Sequence, residues 1–296
     1  MSDMPPGQAP ISVFILTYNE ERNIRTLLDS IKGWADEIVI VDSFGTDATL
    51  DICRSYGCTI VQNKFINHAI QCNWVLDTFK FKHEWILRLD SDEVVPPLLK
   101  AELAEIARTA PADLTGIYMD RRIYFMNRWL KHGGIYPHRV LRMFRRNAGR
   151  FEIKTEEHFV PSHGRTMNAK HDFLENNRNN TLKFWLAKHD QLADTEVSDM
   201  QAPPAPSGDE LPPRLFGTRP ERMRWLKTHV YRRCPLLLRP FLYFFYRYFI
   251  RLGFLDGRPG LIFHVLQAFF YYFYIDARIY EQRTRWFDKD IDLTRL

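Results

Sequence analysis

The sequence predicts an α/β protein, a sheet of parallel strands with helices on both faces, followed by a basic, aromatic helical region. Three observations predict it. Over the first ~90 residues short apolar runs alternate with segments of helical spacing, the pattern of a parallel sheet. Thr17, Asn19, Glu20, Asp42, Asp90 and Asp92 all fall where an apolar run ends, and open α/β sheets bind ligands outside the carboxyl ends of their strands. Beyond a proline-rich stretch at 201–213 the composition shifts to arginine and aromatic rings.

The 296 residues suit one large domain, or a domain with a substantial appendage. After a proline-rich start, read as a disordered segment over 1–10, the run ISVFILTYNE is a buried strand entering a polar loop. Within 21–32, Ile24, Leu27, Leu28 and Ile31 recur at helical spacing. Residues 37–41 (EIVIV) form a second strand ending at Asp42. Thr46 or Asp47 caps the next helix, and Gly57 stops it. CTIVQ is a third strand, 67–79 a helix, and HEWILRLD a fourth strand ending at Asp90. A helix over about 97–109 leads to 115–125 and 138–145, strands of a mixed or antiparallel extension, and 180–197 reads as a helix. The main domain is expected over 11–200, a loop with five prolines in thirteen residues over 201–213, and a separate tail over 214–296.

Composition excludes several classes. With 45% hydrophobic and 26% charged residues the chain is neither disordered, collagen-like nor a coiled coil. Cys53, Cys58, Cys72 and Cys234 have no C-x-x-C spacing, so neither a four-cysteine zinc site nor a disulfide scaffold is indicated. A reducing compartment is the default. MSDMPPGQAP lacks the basic and apolar parts of a secretory signal, which points to the cytoplasm. The net charge of +5 hides a split: from Arg214 to Lys289 there are 15 Lys/Arg against 5 Asp/Glu. Tail and body therefore face different partners.

The strongest chemical signal is Asp90-Ser91-Asp92 at the end of an apolar strand. Two carboxylates at this spacing can hold a divalent cation beside a diphosphate, and hard oxygen ligands suit Mg²⁺ or Mn²⁺. A solvated turn is the competing reading of any single D-x-D. The second signal is Thr17-Tyr18-Asn19-Glu20 followed by Asp42, in the loops where α/β sheets take a nucleotide. Asn19 and Glu20 equally suit the start of the following helix. No G-x-G-x-x-G and no P-loop is present, which disfavours a dinucleotide enzyme or a P-loop ATPase. A third cluster is basic, with Arg139 and Arg145 on one face of the 138–145 strand and Arg142 and Arg146 on the other. One face would meet phosphates of a donor or of a lipid-linked acceptor.

Taken together, ISVFILTYNEERNI, VDSFGTDAT, WILRLDSDE and RWLKHGGIYP closely resemble family 2 glycosyltransferases of bacterial lipopolysaccharide-core and exopolysaccharide assembly. RLGFLDGRPGL resembles the membrane-proximal tail of that branch. The resemblance spans roughly 10–195 and 225–282, with one departure at Phe44, where the family often has Gly or Ser. It implies a GT-A (Rossmann-like) mixed sheet flanked by helices, a nucleotide-sugar donor (most commonly UDP-linked), Mg²⁺ or Mn²⁺, and inversion at the anomeric carbon. It further implies that Thr17, Tyr18, Asn19, Glu20 and Asp42 bind the nucleoside, that Asp90 lies by ribose and diphosphate and shares the metal with Asp92, and that Glu157, or failing it Glu156, is the base. Arg142 and His158 would meet acceptor or phosphate. Asn176, Asn177, Arg178, Trp185, Lys188 and His189 stand as a lid or acceptor wall, or as ordinary helix surface.

The tail segments 236–254 and 259–275 are too charged or too short for a membrane span. Aromatics with arginine suit the headgroup region instead. They read as two amphipathic helices lying in the membrane interface, joined by a turn at Asp256-Gly257-Arg258-Pro259-Gly260; a buried helical pair is the competing reading. The expected partners are a nucleotide sugar, a lipid-linked saccharide and the cytoplasmic face of a bacterial inner membrane. Nucleic acid is not expected, since no binding module is recognisable. The rival functions are a non-catalytic scaffold and a nucleotidyltransferase. The latter is disfavoured because TYNEERN has no phosphate-loop glycine.

Overall fold

Strand β1 (Ala9–Thr17) shows why the sheet has helices on both sides. Successive side chains point to opposite faces of a strand. Ile11, Val13 and Ile15 therefore pack with Ile24, Leu27, Leu28 and Ile31 of helix α1 (Ile24–Ile31), while Phe14 packs on the other face with Ala69, Cys72 and Val75. The computed structural model describes residues 7–153, 158–179, 181–201, 213–217 and 219–285. Its chain divides into two compact units.

In the first unit, β2 (Ala35–Asp42), α2 (Thr49–Ser55), β3 (Thr59–Gln62), α3 (His68–Thr78) and β4 (Trp85–Asp90) follow α1 in the expected alternation. The Asp47 carboxylate accepts the Thr49 amide at 3.0 Å at the start of α2, and Gly57, at φ +74°, ends the turn that follows that helix. Asn67 caps α3 by accepting the Ile70 amide at 2.8 Å. Next come β5 (Glu93–Val94), α4 (Pro97–Thr109), with proline in its first turn, and the long β6 (Leu114–Phe125). Short strands β7 (Arg128–Trp129), β8 (Arg139–Arg145), β9 (Gly149–Phe151), β10 (Phe159–Pro161), β11 (Arg165–Asn168) and β12 (Phe173–Glu175) complete the unit.

The main sheet runs β3-β2-β1-β4-β8-β6-β12-β5, with β7 and β11 also paired to β6. β1 to β4 are parallel, β8 is antiparallel to both β4 and β6, and β12 is parallel to β6. The mixed extension expected from residue 97 onward is present. β9 and β10 form a separate antiparallel hairpin.

The second unit is helical and also takes in His132–Gly134. It contains α5 (Leu182–Gln201), α6 (Arg219–His229), α7 (Arg239–Phe245), α8 (Gly257–His264) and α9 (Tyr271–Thr284). α7 runs into a π-helical turn at Tyr246–Ile250, and a second π segment at Val265–Phe270 joins α8 to α9. Trp185, Ala193 and Val197 of α5 pack on Tyr271, Ile275 and Ile279 of α9. The turn between the two aromatic segments falls earlier than its glycine and proline residues suggest: Leu252 sits at φ +59° and a 3₁₀ turn covers Gly253–Asp256. Arg258, Pro259 and Gly260 already belong to α8, where a first-turn proline leaves no intrahelical bond unmade. Among the described residues no helix is long and apolar enough to cross a membrane.

Candidate active site

Three adjacent parallel strands end together. Thr17 pairs with Asp42 in the β1–β2 register, and Leu16 pairs with Asp90 in the β1–β4 register. The sheet thus brings Thr17, Asp42 and the D-x-D turn to one edge of the first unit. The Thr17 hydroxyl donates to Asp42 Oδ1 at 3.1 Å. Asp42 Oδ2 accepts the Gly45 amide at 3.0 Å and Gln62 Nε2 at 3.1 Å. Asp42 is fully buried, and these three donors compensate its charge.

Asn19, at φ +56°, turns the chain out of β1, and its Oδ1 accepts the Thr46 amide at 2.7 Å. A Cβ on Gly45 would lie 3.0 Å from that oxygen, so the two loops meet closely at a glycine. Glu20 accepts Asn23 Nδ2 at 2.8 Å and Asn179 Nδ2 at 3.4 Å, while its own amide donates to the Thr49 hydroxyl at 2.7 Å. Tyr18 and Phe44 expose their rings beside this framework, and Phe44 sits at φ +61°. That left-handed backbone is one that glycine adopts without strain.

Asp90 follows a different logic. Arg88 Nη2 reaches its Oδ1 at 2.9 Å, and Arg142 Nη2 reaches its Oδ2 at 2.7 Å. Arg142 also bonds Glu93, whose Oε2 accepts the Asp90 amide at 2.9 Å. Glu93 is fully buried; burial, and then the Asp90 carboxylate, push its carboxyl well above the usual range. Arg142 is therefore placed inside the protein, between two carboxylates, and not on the open phosphate-facing surface expected of it. Arg145 and Arg146 likewise cap backbone carbonyls, at Leu114 and Phe81. His158 pairs with Glu152 at 2.8 Å in the β9–β10 region. Glu156 and Glu157 lie outside the described residues.

Asp92, half-buried, lines a cavity of about 160 Å³ with Asn23, Glu93, Tyr124, Asn176 and Arg178. Residues 176–179 form a strap, not helix surface. The Asn176 amide donates to Asp92 O at 2.9 Å, the Arg178 amide to Asn23 Oδ1 at 2.8 Å, and the Asn179 amide to Asn177 Oδ1 at 2.8 Å. Among the described residues no group of three or more His, Cys, Asp or Glu side chains is placed to hold a metal. Mg²⁺ in phosphate chemistry takes one or two carboxylates, with substrate oxygens and water completing the shell. Asp92 on the cavity wall fits that donor set. Sequence reasoning singled out neither Glu93, Gly45 nor Asn23; only the D-S-D-E run and the asparagine cluster carried a signal for this region.

Residues 12–172 match the family described as Glycosyl transferase family 2. The chain is 29% identical over 193 residues to the lipopolysaccharide core biosynthesis glycosyltransferase LpsC of Rhizobium meliloti, covering 59% of this chain and 70% of that one. It is 36% identical over 96 residues to an uncharacterized glycosyltransferase of Rickettsia bellii, covering 32% of each, so it spans only about a third of that relative's length. In structure it is similar to a mannosyltransferase of Pyrobaculum calidifontis, PcManGT, solved with GDP-Man and Mn²⁺. The TM-score is 0.51 at 15% identity, over 92% of this chain and 86% of the other. The likeness shows a shared fold, in keeping with the GT-A-type mixed sheet flanked by helices that the motifs implied.

Proposed function

This chain belongs to glycosyl transferase family 2, and from that membership we propose that it moves a sugar, with inversion, from a nucleoside-diphosphate donor to a lipid-linked or lipopolysaccharide-type saccharide. The observation that carries the proposal is the meeting of Thr17, Asp42 and the Asp90–Asp92 turn at one end of three paired strands. The LpsC relative supports a saccharide acceptor of the lipopolysaccharide type, and the GDP-Man and Mn²⁺ complex of PcManGT supports a nucleotide sugar with a divalent ion.

The framework around Thr17, Asn19, Glu20 and Asp42 receives the nucleoside, with Tyr18 exposed at its edge. Asp92 would hold Mg²⁺ or Mn²⁺, with Asp90 beside it. When bound, the ion neutralises charge on the departing diphosphate. Glu157, with Glu156 as the alternative, takes the proton from the acceptor hydroxyl as that oxygen attacks the anomeric carbon. No second carboxylate is needed as an acid, because the nucleoside diphosphate leaves as a stabilised anion. The exposed rings of Phe241, Phe245 and Phe249 in the second unit, with its basic charge, support peripheral attachment to an anionic membrane on the cytoplasmic side.

A panel of UDP-, GDP- and other nucleotide sugars tests the reading, with purified protein, Mg²⁺ or Mn²⁺, and lipid. One donor should bind and hydrolyse slowly in a metal-dependent way, and Asp92→Ala should lose both properties while keeping its circular dichroism. A folded protein that binds no donor would favour the scaffold reading.

A further inference from the structure

The buried cluster beneath the D-x-D turn has a role that the family motifs do not assign. Two arginines and two carboxylates meet there. Arg142 and Arg88 are 4% and 6% exposed, and Glu93 is fully buried. Burying such a group usually contributes little net stability, because desolvation offsets the attraction. What the cluster does supply is geometry.

Each part of the turn is held. Both carboxylate oxygens of Asp90 accept from arginines, at 2.9 Å from Arg88 and 2.7 Å from Arg142. The Asp90 amide donates to Glu93 Oε2 at 2.9 Å, and Asp92 O accepts the Asn176 amide at 2.9 Å. Glu93 and Val94 pair with Glu175 and Leu174 of β12. The Arg142 guanidinium lies 5.5 Å from the centre of the Phe173 ring, in the same strand, which fixes it from a further side. The Asp92 side chain lines the cavity.

We infer that Arg142 and Glu93 are positioning residues for the D-x-D turn: they hold Asp90 as a structural member of a clamp and so present Asp92 as the carboxylate offered to the divalent ion. A cation on Asp90 would have to displace two arginines from its oxygens. The inference rests on the metal-assisted reading above. Outer partners that orient a metal ligand typically contribute ~10–100-fold to metal affinity.

The test uses the full chain, titrated with Mn²⁺ in the presence of UDP and separately of GDP, with free Mn²⁺ read by electron paramagnetic resonance. Asp92→Ala should bind no Mn²⁺. Arg142→Lys, Glu93→Gln and Asp90→Asn should each fold, by circular dichroism and melting, and weaken Mn²⁺ binding ~10–100-fold. The Arg142→Lys/Glu93→Gln double variant should be little weaker than either single one, because both act through one network. Arg239→Lys, at a buried ion pair of the second unit, should lower the melting temperature and leave Mn²⁺ affinity unchanged. If Arg142→Lys does not fold, Glu93→Gln carries the comparison. Wild-type affinity in the folded clamp variants, or a loss in Asp90→Asn as complete as in Asp92→Ala, overturns the inference and leaves the transferase reading standing. A wild-type protein that binds Mn²⁺ neither with these two nor with the nucleoside diphosphate of any other donor in the panel removes the metal reading and this inference with it.

Discussion

Both units bury an arginine against an aspartate, and the two pairs are built differently. In the second unit Asp276 is fully buried; Arg239 Nε approaches it at 2.8 Å, and the Leu237 amide donates to it at 2.9 Å. The Tyr231 ring covers the guanidinium at 4.6 Å. In the first unit the Asp90 side chain keeps 33% of its surface open and divides its oxygens between Arg88 and Arg142. The sealed pair locks a fold. The partly open one sits beside a cavity, where an incoming charge can act on it. Exposure separates the units in another way too: the strand-end site is built mainly from hydrogen-bonded polar side chains with Tyr18 and Phe44 exposed beside them, whereas α7 and its π turn leave Phe241, Phe245, Phe249 and Ile250 uncovered.

Removing the proposed base should give the largest effect. Glu157→Gln should lower turnover ~10²–10⁴-fold, the usual contribution of a positioned general base, with donor binding unchanged by calorimetry. Unchanged single-turnover rates would move the role to Glu156. Asp276→Ala comes next. It leaves Arg239 buried without its partner, a loss of ~3–5 kcal/mol, seen as a lower melting temperature. Mn²⁺ and nucleotide binding should persist in the protein that remains folded; their loss would show that the two pairs are not independent.

His264 gives the second unit a pH signature. It is fully buried, and burial, with Arg247 next in weight, lowers its pKa to about 4, partly countered by Asp256. Gly133 and Gly253 press on the ring so closely that a Cβ on either would lie 2.1 Å or 2.5 Å from it. The folded protein therefore prefers the neutral ring. Above the unfolded value of about 6.5 this preference costs nothing. As pH falls from there toward 4, the unfolded chain takes up the proton first, and stability drops by up to ~1.4 kcal/mol per pH unit. Denaturation midpoints at pH 7 and pH 5 should differ more in the wild type than in His264→Asn. Equal differences would place the titrating group elsewhere.

The membrane contrast is smaller. Phe245 is 55% exposed, and transferring a ring from water is favourable by ~1.5–3 kcal/mol when complete. Phe245→Ser should weaken binding to anionic phosphatidylglycerol vesicles by roughly 1–2 kcal/mol, measured by flotation, while leaving Mn²⁺ binding intact. Equal flotation would assign the exposed rings to a protein contact.

The order of elements was legible because period and position agree. Ile24, Leu27, Leu28 and Ile31 face the core as their spacing requires, and Asp42 and Asp90 end their strands because apolar runs stop there. The roles of the arginines were not legible. Alternation along β8 separates its two faces, but which face meets carboxylates and which caps carbonyls is decided by β4, β5 and β6, distant in sequence. Glu93 was hidden for the same reason: only the fold shows that its side chain turns inward beneath Asp90. Residues 176–179 carried an asparagine signal, yet their strap geometry depends on Asn23, 154 residues away from Asn177.

Phe44 should have the smallest effect, and it bears directly on the difference between exposed rings in the two units. It holds φ +61° with a ring 56% exposed. A left-handed backbone costs an ordinary residue about 1–2 kcal/mol. Glycine removes that strain but adds ~0.5–1 kcal/mol of unfolded-state freedom. Phe44→Gly should therefore change stability by less than ~1 kcal/mol, measured by urea denaturation. The loop is held by the Gly45 amide on Asp42 and the Thr46 amide on Asn19, neither of which involves the ring. If the loss exceeds that range, the ring packs on the first unit's surface. If stability holds but nucleotide affinity falls, the ring contacts the donor, which would set this one exposed aromatic apart from those of α7.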